Sequence, residues 1–326
     1  MRKPIGVSRV QNLSLLVILA LVIFLFWFLY PDFLALENLR NILITVSVIG
    51  IIAVPMTMLM IGGGVDLSVG ALMGFSASFC ALLMSRHLGI AASVVITLAV
   101  GTLVGVVNGL IVTRIKVNAF IETIGMLSIL NGIALVMTSR KGQTATFSGS
   151  IGIDDKTFSF LGLGAVAHIP IQVIFLAVFF AAGYVILNHT QFGRRVYAAG
   201  AAERVAVLSG IRVERTRVLL FAFTSFAAAF GGIIMASQFL AGHPRIGIGY
   251  ELLVITTVIL GGTAFTGGAG SMQGVILAIL IIGVLRYGMD VIGLGDYYKQ
   301  MSNGAILLIA VGLDQVRQRI ALRRLR

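Results

Sequence analysis

A glycine-rich break interrupts the long apolar runs of this chain. Residues 62–70 read Gly-Gly-Gly-Val-Asp-Leu-Ser-Val-Gly, with apolar stretches on both sides. Lipid cannot satisfy a freed backbone N–H or C=O, so a break at membrane depth is tolerated only where protein or a water-filled path surrounds it. Asp66, the lone carboxylate in the break, would be costly against lipid. The sequence therefore predicts that something polar passes through or near this segment.

The composition is that of an integral membrane protein. Of the 326 residues, 58% are hydrophobic and 11% are charged, and the mean hydropathy is +1.04. Soluble domains carry about 25% charged residues. The first apolar run, 13–30, is too long for the core of a typical signal peptide and lacks a small-residue cleavage site, so we interpret it as a retained first helix. Cys80 is the only cysteine, which excludes an intrachain disulfide.

Ten segments are predicted to span the membrane as helices. A span needs about 20 apolar residues, and the eighth and tenth segments are short enough that either could be tilted, broken or re-entrant. The chain is thus predicted to form one transmembrane domain over 1–326, an all-α polytopic helix bundle. The predicted spans are 13–30, 42–61, 67–85, 91–112, 119–138, 170–187, 218–241, 251–265, 271–289 and 301–316.

The distribution of charge predicts the orientation of this bundle. The 24 Lys and Arg residues outnumber the 12 Asp and Glu residues. Sixteen of the basic residues fall at the two termini and in the connections 113–118 and 188–217, which share one side of a ten-span layout. By the positive-inside rule, both termini are expected in the cytoplasm. No pattern typical of DNA or RNA binding accompanies the charge, so the expected surroundings are a lipid bilayer and not a nucleic acid.

The glycine-rich break has a weak counterpart in the second half of the chain. Residues 58–70 and 258–270 each contain an apolar run, a glycine cluster and the start of another apolar run. Paired glycine-interrupted segments point to a transport site, although glycine also lets helices pack closely, and the pattern leaves both explanations open. The candidates for the translocation path are Gly62, Gly63, Gly64, Asp66, Ser68, Asn108, Gly267, Gly268 and Gly270.

No catalytic, cofactor or metal-binding pattern is present. The sequence lacks a Walker A motif, a His-Glu-x-x-His motif and a Cys-x-x-Cys motif. Its four histidines fall at span ends or in loops, so no metal site is predicted. Glu122 lies one turn into the fifth span, where it is either functional or a carboxylate at the cytoplasmic rim that the helix dipole favours. The carboxylates lie near span ends, which counts against a proton- or sodium-coupled carrier with a deep acidic relay.

The longest predicted inner connection, 190–216, is basic and rich in alanine. Residues 201–209 favour a helix, and Gly200 and Gly210 are expected to bracket it as helix breakers. A short helix lying parallel to the membrane between two spans could dock a cytosolic partner. Alternatively, the connection is a positive linker that only anchors the topology.

Six motifs, in order over about 40–320, resemble the membrane permease subunits of ABC importers of the ribose, arabinose, xylose and autoinducer-2 group. Together they extend over nearly the whole chain. They are Gly-Gly-Val-Asp-Leu-Ser-Val-Gly (63–70), Val-Asn-Gly (107–109), Phe-Gly-Arg-Arg-Val-Tyr-Ala-Ala-Gly (192–200), Leu-Ser-Gly-Ile (208–211), Gly-Tyr-Glu-Leu-x-Val-Ile (249–255) and Leu-Gly-Gly-x-x-x-x-Gly-Gly-x-Gly (260–270).

The resemblance implies import of a sugar or related small polar solute across the bacterial inner membrane. It also implies a cytosolic ATP-binding subunit that hydrolyses ATP, a periplasmic or lipid-anchored solute-binding protein, and a second permease copy or paralogue. The chain departs from the family pattern at Glu122, where an apolar residue is common, and at 201–204, where the family has an acidic pair. The candidate residues for coupling to the ATPase are Tyr197, Gly200, Glu203, Arg204, Val205, Leu208 and Gly210.

Two functions of other classes are the alternatives to the permease. One is a proton-coupled secondary carrier, and the other is an intramembrane enzyme. The missing catalytic cluster disfavours the enzyme, whereas only the family resemblance separates the permease from the carrier.

Overall fold

The chain folds into a bundle of long helices, as its apolar runs predict. The computed structural model describes residues 5–139 and 149–323, and side chains within 12–139 and 149–312. The helices are α1 (Ile5–Leu29), α2 (Leu36–Ile61), α3 (Val69–Ser85), α4 (Ile90–Leu110), α5 (Ala119–Thr138), α6 (Phe160–Leu163), α7 (Ile171–His189), α8 (Gln191–Ala201), α9 (Glu203–Leu208), α10 (Val213–Phe239), α11 (Tyr250–Leu260), α12 (Met272–Val291) and α13 (Asp296–Arg323). A π-helical turn, Ile111–Ile115, extends α4.

Each of the ten predicted spans overlaps one of these helices. Among the described residues, seven helices are long and apolar enough to cross a membrane, so the protein is a polytopic helical membrane protein. Two apolar helices, α3 and α11, are shorter, at 17 and 11 residues. The predicted end of the eighth span at residue 265 is wrong, because Gly261 and Gly262 end α11 and residues 261–270 form a loop.

Helix α2 forms the centre of the bundle. It is apolar on all sides, which is typical of a helix buried within a larger protein, and every residue from Val46 to Ile61 is buried. Helices α7, α10, α11 and α12 pack around it, whereas α1 packs mainly on α12 at the periphery. This buried central helix therefore ends directly at the glycine-rich break.

Small residues allow α4 and α10 to approach closely. Gly101, Gly105 and Gly109 lie four residues apart on one face of α4, and an added Cβ at any of them would collide with α10. Their neighbours include Ala229 and Ser225. Such stripes of small residues are common where helices pack in membranes. No hydrophobic driving force draws helices together in lipid, so close van der Waals packing has to hold them.

A short irregular cap covers the end of the bundle at which α10 finishes. Strand β1 (Ile151–Gly152) pairs with β4 (Ala241–Gly242), and β2 (Ala165–Val166) pairs with β3 (Ile169–Pro170), both antiparallel. The Ser237 hydroxyl donates to the Phe158 carbonyl oxygen at 2.6 Å, which ties the cap to α10. We call this end the cap end, and the opposite end, with α8 and α9, the α9 end.

Several predicted basic positions fall outside the described residues. They are Arg2 and Lys3 at the start of the chain, Arg140 and Lys141 in the predicted outer segment, and Arg324 and Arg326 at the end.

Candidate coupling site and translocation path

Three separate chain segments meet at the α9 end through glycine residues. The Gly268 N–H donates to the carbonyl oxygen of Ile61, the last residue of α2, at 2.8 Å. A Cβ added at Gly200 would overlap that same carbonyl oxygen and would lie 2.7 Å from the Gly268 nitrogen. Gly63 and Gly267 are also in contact and both have positive φ angles. We call the segments 61–64, 200–201 and 267–270 the glycine junction.

The glycine junction brings together two clusters that the sequence placed about 200 residues apart. Gly62, Gly63 and Gly64 follow α2, and Gly267, Gly268 and Gly270 precede α12. Gly200 of α8 fits between them because only a residue without a side chain can approach the backbone so closely. The backbone of α8 is therefore in close contact with the end of α2 at Gly200.

Arg217, near the start of α10, clamps the glycine junction from the side. Its Nε donates to the Gly62 carbonyl oxygen at 3.1 Å, and its Nη1 lies 2.8 Å from the Glu203 carboxylate. One guanidinium thus links the end of α2, the start of α9 and the start of α10. Nothing in the local sequence pattern indicates these distant partners, so the sequence predicts Arg217 only as a positive inner charge.

Tyr197 supports the junction from the inner face of α8. Its hydroxyl donates to the Gly270 carbonyl oxygen at 2.9 Å. Burial raises the pKa of this hydroxyl to about 12, so the proton that the bond requires is retained at physiological pH. Tyr197 therefore makes its contact within the chain, on the side of α8 that faces the bundle.

The inner connection is built differently from its predicted form. Gly200 does not break a helix, because α8 continues through it to Ala201. The break falls at Ala202, whose extended backbone separates α8 from α9. Gly210 follows α9 with a φ of 79°, as expected for a residue that ends a helix. The result is two short helices joined at a corner instead of one helix bracketed by glycines.

Helix α9 presents apolar side chains away from the bundle. Leu208 is 88% exposed and Val205 is 62% exposed, and the adjacent Val207 is also exposed. Nothing in the described part of the chain covers these apolar side chains, although the connection around them is short and highly charged. Arg204 lies on the same exposed helix, whereas Glu203 is partly engaged by Arg217.

A cavity of about 890 Å³ opens beside α9. It lies between the connection that joins α4 to α5 and the start of α10, and Gly63 of the glycine junction forms part of its wall. Lys116, Arg212 and Glu214 contribute charge to its wall. The α9 end therefore combines protruding apolar side chains with a charged recess.

Asp66 is buried and held by the residues that follow it. One carboxylate oxygen accepts from the Ser68 N–H at 2.8 Å and from the Ser68 hydroxyl at 2.5 Å. The Ser225 hydroxyl of α10 lies 3.4 Å from the other oxygen. These donors explain how a carboxylate can occupy a fully buried position.

A chain of polar groups extends from Asp66 to the fifth span. Asn108 lies between Ser68 and Glu122, with one end of its side-chain amide 3.1 Å from Ser68 Oγ and the other end 3.3 Å from Glu122 Oε1. Glu122 is only 8% exposed, so it faces the bundle and is not a solvated carboxylate at the rim. Within the described residues, no group of three or more His, Cys, Asp or Glu side chains could hold a metal ion.

Comparison with known proteins identifies the family. A family described as the permease component of the branched-chain amino acid transport system matches residues 38–311. The chain belongs to this permease family. No solved structure matches significantly.

Similar proteins are named as sugar transport permeases. The ribose import permease protein of Haemophilus influenzae is 36% identical over 284 residues, 87% of each chain. That of Escherichia coli K12 is 33% identical over 94% of this permease and 93% of the relative. An L-arabinose ABC transporter permease of Azospirillum brasilense is 32% identical over 96% of this permease and 90% of the relative.

The predicted permease class is thereby confirmed, and the proton-coupled carrier is not favoured. Permease components of ABC transporters do not themselves catalyse a reaction, which agrees with the missing catalytic motifs.

Proposed function

We propose that this permease imports a sugar or a related small polar solute into the cytoplasm of a bacterium across its inner membrane. A separate cytosolic subunit hydrolyses the ATP that drives import, and a periplasmic or lipid-anchored protein delivers the solute. A second permease copy or paralogue completes the transporter. The names of the relatives, ribose and arabinose permeases, support the choice of a sugar.

The exposed apolar surface of α9 is the observation that carries the proposal. Val205 and Leu208 protrude from a short helix whose neighbour, α8, is locked into the glycine junction. A cytosolic ATPase must transmit movement through a rigid inner element, and α8 and α9 together form one. The apolar side chains bind the ATPase, Arg204 orients it by charge, and the junction passes the movement to α2, α10 and α12.

The orientation follows from this assignment. If α9 faces the cytosol, the cap end faces the periplasm, and ten crossings or partial crossings leave both termini in the cytoplasm. The basic residues of 188–217 then lie inside, in agreement with the positive-inside rule. The path for the solute runs beside the glycine junction and Asp66.

Uptake by reconstituted proteoliposomes tests the proposal. The full transporter, with ATPase and binding protein, is expected to accumulate labelled D-ribose or L-arabinose only when ATP is present, and a protonophore should leave the initial rate unchanged. Uptake by the permease alone that a protonophore abolishes would instead establish the proton-coupled carrier. Omission of the ATPase serves as the matched control.

A further inference from the structure

A buried chain of four polar side chains links the glycine-rich break to α5. Asp66 Oδ1 lies 2.5 Å from Ser68 Oγ, which lies 3.1 Å from the side-chain amide of Asn108 in α4. The other end of that amide lies 3.3 Å from Glu122 Oε1 in α5. Glu122 is the most accessible of the four and is only 8% exposed. Two carboxyl groups therefore lie at the two ends of one buried hydrogen-bonded chain.

The helices around these carboxyl groups supply no positive charge to them. Helices α3 and α4 contain no charged residue, and Glu122 is the only one in α5. In α10 the charged residues are confined to the first five positions, where Arg217 is already paired with Glu203. Within the described residues, neither Asp66 nor Glu122 forms an ion pair.

The remaining charged groups in this part of the bundle lie at its edges. Arg114 and Lys116, in the connection before α5, are exposed. Glu251 of α11 packs against the start of α3, and it adds a third carboxyl group instead of a cation. Asp66 therefore acts electrostatically on Glu122 with no adjacent positive charge to offset the repulsion.

The contacts along the chain require one hydrogen more than two ionised carboxylates leave. If the donor end of the Asn108 amide faces Ser68, the acceptor end of the amide meets an acceptor at Glu122. If the amide is reversed, the Ser68 hydroxyl must donate to Asn108. The hydroxyl has a single hydrogen, so two acceptors then meet at Asp66. In both orientations, protonation of one of the two carboxyl groups supplies the missing hydrogen.

The second oxygen of Glu122 is an independent sign of a missing hydrogen. Glu122 Oε2 is buried and has no hydrogen-bond partner in the part of the chain that the structure describes. Burial of a charged group without a partner costs far more free energy than burial of a neutral polar group. A proton bound to this pair of carboxyl groups would remove one of the two buried charges.

We propose that Asp66 and Glu122 together bind one proton, which the folded permease retains at neutral pH. Carboxyl groups coupled in this way titrate as a pair, so the proton belongs to both residues and not to either one alone. The bound proton allows α5, which packs mainly on α3, to remain against the glycine-rich break. The site retains this proton and does not transport it, so it is compatible with import driven by ATP.

Infrared difference spectroscopy of the purified full-length permease tests the proposal, because the carbonyl band of a carboxylic acid is absent from a carboxylate. Glu122→Gln supplies an amide donor to Asn108, so Asp66 can ionise and the pair no longer needs a proton. At neutral pH, this variant should lose one carboxylic acid band relative to the unaltered permease. Glu37→Gln is the matched control, since Glu37 is exposed in the first turn of α2 and should lose a carboxylate band.

The pH dependence of stability provides a second measurement. Exposed carboxyl groups of the unfolded chain lose their protons well below neutral pH, so the folded permease binds one proton more. The thermal unfolding midpoint in detergent should therefore fall as the pH is raised through neutral, for both the unaltered permease and Glu37→Gln. The midpoint of Glu122→Gln should fall less steeply, because this variant has no shared proton to lose.

Two results would overturn the shared proton. One is the loss of a carboxylate band, instead of an acid band, in Glu122→Gln. The other is a midpoint for this variant that falls with pH as steeply as that of the unaltered permease. If Glu122→Gln does not fold, Glu122→Leu takes its place in both measurements, with the same expected results, since it also leaves Asp66 as the only carboxyl group of the chain of contacts.

Discussion

At the scale of single residues, Arg217 is the side chain that joins the most distant parts of the α9 end. The ion pair with Glu203 is partly exposed, and such pairs contribute about 0–1 kcal/mol. The hydrogen bond from the guanidinium to the Gly62 carbonyl oxygen is charge-assisted, and bonds of this kind contribute about 1.5–3 kcal/mol. Arg217→Gln should therefore lower the thermal unfolding midpoint of the purified permease more than Glu203→Gln does. Equal effects of the two variants would mean that the link to Gly62 contributes nothing.

Asp66 provides a second prediction at this scale. Asp66→Ala removes the acceptor for the Ser68 N–H and hydroxyl, and a buried donor without a partner costs about 1–3 kcal/mol. Ser225→Ala is the control, since its hydroxyl lies 3.4 Å from Asp66 and little energy is lost with it. We expect a clear loss of thermal stability in detergent for Asp66→Ala and almost none for Ser225→Ala. An unchanged thermal unfolding midpoint for Asp66→Ala would contradict a stabilising role of its hydrogen bonds to Ser68.

At the scale of elements, α9 is expected to bind the ATPase through its apolar side chains. Full burial of a leucine side chain contributes about 1.5–3 kcal/mol, and each 1.4 kcal/mol changes affinity tenfold. Leu208→Asp should thus weaken ATPase binding by about 10–100-fold, as measured by co-purification or by titration of the ATPase onto the permease in nanodiscs. Ser209→Asp adds the same charge one position later without removing apolar area, so it should weaken binding much less. If Leu208→Asp binds the ATPase normally, α9 belongs to a topological linker.

The helices were predictable from sequence because an apolar run of about 20 residues has few alternatives in a membrane. The ends of the helices were harder to predict. Helix α11 ends at Leu260, although residues 261–265 continue the sequence without a charge. The glycine clusters were found as a pattern, but their contact with Gly200 depends on a third segment that no local pattern connects to them. The contacts of Arg217 and the burial of Glu122 could not be predicted from the sequence for the same reason, because both depend on packing between segments that are distant in the chain.

At the scale of the whole molecule, the contacts form one continuous route between the surface of α9 and the centre of the bundle. Helix α9 is tied to α10 by the ion pair of Glu203 and Arg217, α8 is tied to the end of α2 at Gly200, and Tyr197 is tied to the segment before α12. By these contacts, a displacement of α8 and α9 by an ATPase would be passed to α2, α10 and α12.

The ratio of solute transported to ATP hydrolysed, measured in the same proteoliposomes, tests this coupling most directly. Gly200→Ala inserts a methyl group against the Ile61 carbonyl oxygen, whereas Ala202→Val adds bulk at an exposed neighbouring position. We predict that Gly200→Ala retains the ATPase and continues to hydrolyse ATP while its transport ratio falls several-fold, and that Ala202→Val keeps the ratio of the unaltered permease. An unchanged ratio for a folded Gly200→Ala transporter would contradict the proposal that the glycine junction carries the work of ATP hydrolysis into the membrane.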